Sequence, residues 1–233
     1  MNTVAVIQAR MGASRLPNKM LYHLHGYSVV EWVFYRVKQS KLIDRIIFAI
    51  PDIKKDDLLA KYLESLGADV YRGSETDLIE RYVKASRSVS ADEVVRICAD
   101  NPLICASEID RLISYFRQNS CDYAYNHVPK ENLYPDGIGA EICKYPLLEE
   151  IHIKAISPEH REHIFNYIWD HENDYIIKTF EPDKEIAHPE LKLDLDTIND
   201  FKYLLEKPYR IEMSAKEIVE TSLSNFKIEK QKL

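Results

Sequence analysis

The chain has 233 residues, 45% of them apolar, and a formal net charge of −7 at pH 7. That length and composition suit one large domain with a real core and argue against disorder. The acidic balance excludes a general nucleic-acid or membrane-surface binder, and no apolar run approaches the roughly 20 residues that cross a bilayer.

No basic stretch followed by a long apolar one marks a signal peptide, so a cytoplasmic protein is expected. Cys98, Cys105, Cys121 and Cys143 show no Cys-x-x-Cys spacing. They read as reduced thiols, with little support for a zinc site.

In chain order, residues 4–9 form an apolar strand. Ser28 and Glu31 have capping-box spacing, and Val29, Val30, Val33, Phe34 and Val37 fit one helical face. Residues 45–50 are a second strand. A helix over 54–66 carries Leu58, Leu59, Tyr62, Leu63 and Leu66 and ends at Gly67. A short strand, 69–71, turns out through Arg72-Gly73-Ser74. Then come a helix over 77–88, a strand over 93–98, and a helix over 107–118 with Ser107 and Asp110 at capping spacing. This alternation predicts an α/β fold: an open, mostly parallel, Rossmann-like sheet with helices on both faces.

The second half is less regular. Strands are expected at 121–125, 137–142, 175–179 and 192–195. Helices are expected at 147–156, 159–171 and from Thr197 to Glu206. Roughly 120–190 should form a smaller mixed lobe over the carboxyl edge of the sheet. The last dozen residues are polar and should fray.

The loop after the first strand carries Arg10, Arg15 and Lys19. Three cations on one loop repel each other unless an anion sits among them, and Gly12 permits unusual backbone angles that turn amides inward. A strand ending in such a loop is how open α/β sheets hold phosphates. A basic surface loop that binds nothing is the competing reading. The loop lacks the Gly-Lys-Ser/Thr ending of a Walker motif and the Gly-x-Gly-x-x-Gly of a dinucleotide site.

Asp100 ends the strand over 93–98, before Asn101-Pro102, and Asp196 ends a short apolar strand before a helix. Two such carboxylates beside a triphosphate suit magnesium. Alternatively both are caps. Asp196 is preferred to Asp194 because it lies nearest the strand's end. His160 and His163 lie one turn apart, a spacing that also suits a metal, although a solvated or capping pair explains it better. Tyr123, Tyr125 and Tyr134 could form a sugar platform or simply structural aromatics.

The run Ile7-Gln8-Ala9-Arg10-Met11-Gly12-Ala13-Ser14-Arg15-Leu16-Pro17-Asn18-Lys19-Met20-Leu21 resembles the signature loop of cytidylyltransferases that activate acidic sugars. The nearest branch is named for spore-coat polysaccharide biosynthesis; 3-deoxy-manno-octulosonate cytidylyltransferases are more distant. Tyr71-Arg72-Gly73-Ser74 with Asp77 and Glu80-Arg81-Tyr82 resembles a second nucleotide segment. Arg96 with Ala99-Asp100-Asn101-Pro102 resembles a metal segment, and Leu195-Asp196-Thr197 with Asp200 a second one. Pro135-Asp136-Gly137 with Glu141, and Arg161-Glu162-His163, resemble acceptor-side segments. Two departures stand out: Asn18 replaces a usual Gly, and Ala13-Ser14 replaces Ser-Thr.

The resemblance implies a single nucleotidyltransferase domain over 1–233, of the type also seen in GT-A glycosyltransferases, with 120–190 as an acceptor-binding and dimerisation lobe. It implies CMP transfer from CTP to an acidic sugar or sugar phosphate, with release of pyrophosphate, in surface polysaccharide synthesis. Arg10, Arg15 and Lys19 would hold the triphosphate, helped by amides of Met11, Gly12, Ala13 and Ser14. Ala9, Arg72, Gly73, Ser74, Arg96 and Ala99 would bind the nucleotide. Asp100 and Asp196 would hold Mg2+. Asp136, Glu141, Arg161, Glu162 and His163 would face the acceptor, and the chain would be a homodimer. Two other functions compete: a glycosyltransferase using Asp194 and Asp196, and a non-catalytic nucleotide-binding protein.

Overall fold

The computed structural model describes residues 1–224. Most of the tail expected to fray lies outside them. Its first half alternates strand and helix: β1 (Thr3–Gln8), α1 (Val29–Val37), β4 (Arg45–Pro51), α2 (Asp57–Ser65), β5 (Asp69–Gly73), α3 (Leu78–Ser88), β6 (Glu93–Cys98) and α4 (Ala106–Gln118), with a small ribbon of β2 (His23–Leu24) and β3 (Tyr27–Ser28) before α1. The second half adds β7 (Tyr123–Tyr125), β8 (Glu141–Lys144), α5 (Tyr145–Lys154), α6 (Pro158–Glu162), α7 (Asn166–Asp170), β9 (Ile177–Lys178), α8 (Ile198–Glu206) and α9 (Ala215–Leu223).

Seven strands make one sheet in the order β5-β4-β1-β6-β8-β7-β9. The pairs β5-β4, β4-β1 and β1-β6 are parallel, and β8 alone runs against its neighbours. β1 shows why its residues are apolar without alternation. Val4 and Val6 enter a core with Ile79, Tyr82 and Val83 of α3 and Leu148 and Ile151 of α5. Ala5 and Ile7 enter the opposite core with Trp32, Leu63, Ile109 and Ile218. A central strand covered on both faces has no solvent side.

The caps are local. Ser28 and Glu31 close a capping box on α1, Asp77 accepts from the Glu80 amide on α3, and Thr197 with Asp200 caps α8. Each cap contributes about 1 kcal/mol. α9 was not expected, yet Ser214 and Glu217 form a third box and Ile218 and Val219 are buried beyond it.

Several expectations are corrected. Residue 105, not Ser107, caps α4, and Asp110 instead accepts from Ser40 Oγ and the Lys41 and Leu42 amides. The helix expected over 159–171 breaks into α6 and α7; His163 takes an extended backbone between them. The strand expected at 137–142 starts only at Glu141, because Gly137 turns at φ +96 against the Leu193–Asp194 backbone. Residues 192–195 make one bridge, Asp136 to Lys192. Tyr123, Tyr125 and Tyr134 are fully buried, so they are core and not a sugar platform. The strands of 120–190 extend the main sheet, and α6 with His163 just after it reaches the carboxyl edge. All four cysteines are free. Among the described residues no helix is long and apolar enough to cross a membrane.

Candidate active site at the carboxyl edge

The chain leaves β1 toward β4 on one side, while β6 pairs on the other. The order of strands therefore reverses between β1 and β6, and the loops leaving their carboxyl ends must part there. That crevice is where open α/β sheets bind ligands. The loop after β1 brings the cations; the loop after β6 brings Asp100. Leu195 donates its amide to the Asp100 carbonyl at 2.7 Å, which brings Asp196 alongside.

Charges meet in the crevice. Lys19 Nζ donates to Asp100 Oδ2 at 2.9 Å, to the Leu195 carbonyl at 2.6 Å and to Asp196 Oδ1 at 3.3 Å. Arg15 donates to Asp196 Oδ2 at 2.7 Å. Lys19 is buried, and a buried ammonium needs such partners. Asn18, just before it, adopts the left-handed conformation, φ 60 and ψ 17. Gly12, expected to use unusual angles, has an ordinary φ.

These groups line a cavity of about 660 Å³, which also admits Gln8, Ala9, Arg10, Ala13, Ser14, Arg81, Arg96, Cys98, Ala99, Glu162 and His163. Five permanent cations therefore share its walls: Arg10, Arg15, Lys19, Arg81 and Arg96. Asp100 and Asp196 offer hard oxygen ligands on one side. Among the described residues no group of three metal-ligating side chains converges. A pair of carboxylates still fits magnesium, which usually completes its shell with waters and substrate phosphates.

Other expected residues lie outside the lining. The Met11 side chain is buried and its amide donates to Asp56 Oδ1 at 2.7 Å. Gly12 does not reach the cavity. Arg72 donates to Asp57 Oδ1 at 2.7 Å and the Ile53 carbonyl at 3.0 Å; beyond Gly73 and Ser74, the lining falls to Glu75, Thr76 and Leu78. Arg161 donates to Asp77 Oδ2 at 3.0 Å and the His152 carbonyl at 2.7 Å. His160 pairs with Asp170 at 2.8 Å while His163 faces the cavity, so the two histidines share no ligand position.

Behind the cavity wall lies a buried network. Arg96 donates to Glu141 and to Gln8 Oε1 at 3.1 Å, and Tyr123 and His127 also face Glu141. Burial pushes the Glu141 carboxyl up, but Arg96, His127 and Tyr123 outweigh it and hold it below the usual range. Burial lowers the His127 pKa, against the pull of the Glu141 carboxylate. Asp136 sits apart: burial, then the Asp194 carboxylate, pushes it up to about 6. Asp194 pairs with Lys192 at 2.9 Å and does not line the cavity.

From sequence, Gln8 and Arg81 fall within the segments that resemble nucleotide-binding ones without a role of their own, and Cys98 reads only as a reduced thiol. Gln8 is the last residue of β1 and Cys98 of β6, so their place was implicit in the strand ends. Burial raises the Cys98 thiol to about 12.

Comparisons with known proteins agree with this geometry. A family model described as cytidylyltransferase matches residues 4–207. The spore coat polysaccharide biosynthesis protein SpsF of Bacillus subtilis is 31% identical over 223 residues, 92% of this chain and 91% of that protein. The 3-deoxy-manno-octulosonate cytidylyltransferase of Chlorobium luteolum is 36% identical over 118 residues, 50% of this chain and 45% of its own length. The solved structure of a cytidylyltransferase from Leptospira borgpetersenii superposes with TM-score 0.88 at 27% identity, covering 94% of this chain and 93% of that one.

Proposed function

We infer the reaction from one premise: the chain belongs to the cytidylyltransferase family, and with it to the nucleotidyltransferases. The proposed reaction is attack by an acceptor oxygen on the α-phosphorus of CTP. CMP moves to an acidic sugar or sugar phosphate and pyrophosphate leaves. The product would serve surface polysaccharide synthesis.

The observation that carries this reading is Lys19, held by Asp100 and Asp196 in a crevice beside Arg10 and Arg15. Arg10 and Arg15 would bind the triphosphate, with the amides of Ala13 and Ser14. Lys19 would follow the charge that develops on the leaving pyrophosphate. Ala9, Ala99, Gly73 and Ser74 would shape the nucleotide pocket, with Arg72 bracing it from behind. Asp100 and Asp196 would hold Mg2+, which when bound neutralises phosphate charge and acidifies an acceptor hydroxyl. His163 and Glu162 would meet the acceptor, backed by Arg161, Asp136 and Glu141. The work of such a site is alignment and charge neutralisation.

We further read 120–190 as the acceptor-side lobe and the chain as a cytoplasmic homodimer. Exposed Ile153 and Ile156 support a subunit contact, and four free thiols suit a reducing compartment. Light scattering that gives a monomer at micromolar concentration would remove the dimer.

The deciding assay offers CTP, Mg2+ and a pool of acidic sugars and sugar phosphates, and reads pyrophosphate. CTP-dependent release abolished by Asp100→Asn supports the reaction. Transfer from a nucleotide sugar without pyrophosphate would replace it with glycosyl transfer.

A further inference from the structure

Arg81 lies on α3 and is 4% exposed, yet its side chain lines the cavity. It donates from Nη1 to the Ser74 carbonyl at 2.6 Å, while its Nε has no acceptor among the described residues. The Asp56 and Asp77 carboxylates act on its charge from a distance. The Asp56 carboxylate is fully buried; Oδ1 takes the Met11 amide and Oδ2 has no partner among the described residues. A guanidinium withdrawn from water with an unused N–H is costly unless something else completes it.

Arg10 makes the cost larger. Burial, and then the like charge of Arg10, pull the Arg81 pKa down. Two guanidiniums that repel in the free chain attract together once an anion lies between them. The fold also keeps room for this side chain. A Cβ at residue 73 would stand 2.8 Å from the Tyr71 ring and 3.3 Å from Arg81 Cγ.

We propose that Arg81 is a further anion contact of the nucleotide cavity, taking a phosphate oxygen of CTP together with Arg10, with Asp56 as the counter-charge that ties it to the β1 loop through the Met11 amide. The identity of the ligand rests on the CTP reading above; the anion contact itself does not. It differs from a purely structural role, in which the bond to Ser74 would be all that Arg81 does.

The test titrates CTP and inorganic tripolyphosphate, by calorimetry, into wild type, Arg81→Gln and Arg81→Lys. Loss of one charge-assisted contact weakens both ligands about tenfold in Arg81→Gln, and Lys restores part of it. Unchanged affinity for both ligands in both variants overturns the proposal. So does loss of CTP affinity with tripolyphosphate affinity kept, which would show that Arg81 acts only on Ser74 and the base-side loop. If the Gln variant fails to fold, the same two readouts on the Lys variant decide. A wild-type chain that binds tripolyphosphate but not CTP would sink the CTP reading and leave the Arg81 comparison standing.

Discussion

Arg15 and Asp196 are 181 residues apart in sequence and 2.7 Å apart in space. The contact joins the β1 loop to the residue just before the cap of α8. In the free chain, Arg15 and Lys19 sit against the same two carboxylates proposed to hold a metal, so cations of the protein neutralise the acidic pair.

Lys19→Met should therefore act on turnover more than on folding. In the proposed reaction its ammonium would serve as one preorganised charge for the phosphates, and removing one such donor costs about 10²–10³ in rate. Pyrophosphate release from CTP should fall by that factor while circular dichroism is unchanged. A variant within a few-fold of wild type would remove Lys19 from the chemistry.

Asp196→Asn should weaken divalent metal. Outer-shell changes already cost about 10–100-fold in metal affinity, and a direct ligand should cost no less than tenfold. Mn2+ titrated into the CTP-loaded chain and followed by electron paramagnetic resonance reads this directly. Equal affinity in the two proteins would take Asp196 out of the metal shell.

Glu141→Gln should destabilise the fold. The change leaves the largely covered Arg96 charged without its carboxylate, and breaking such a pair where it is buried costs about 3–5 kcal/mol. Urea unfolding at pH 7 measures it. The pH dependence has a definite sign. Glu141 has a lowered pKa in the folded chain, so its stabilisation is present above the ordinary 4.5 and is lost as pH falls through the folded value. Wild type should lose more stability than Glu141→Gln on acidification below pH 4.5. Parallel acid profiles would contradict the pairing.

Asn18 tests the turn before Lys19. At φ 60 a glycine is relaxed, whereas a β-branched side chain is strained. Asn18→Gly should keep nucleotide affinity and stability. Asn18→Val should lose about 1–3 kcal/mol in thermal or urea unfolding. Equal stability of the two variants would mean that the turn rearranges freely.

Much of this molecule was legible along the chain. Val4–Ile7, the box at Ser28 and Glu31, and the start of a helix at Asp77 are local patterns whose causes act within a few residues, so strand and helix followed from them. The cationic loop and Asp100 were legible for a related reason: each ends a strand, and strand ends in a parallel sheet share one edge. What only the tertiary structure decided were relations across the sheet. The pairing of β6 with β1 rather than β4 sets the crevice between their loops, and no short-range pattern encodes it. The burial of Tyr123, Tyr125 and Tyr134 depends on what packs over them, not on their spacing. Arg81 reads as one more helical cation until packing takes away its water, and Arg96 until Glu141, 45 residues away, closes on it. Charge is written in the sequence; whether a charge is buried, paired or left open for a ligand is settled by which distant segments the sheet brings together.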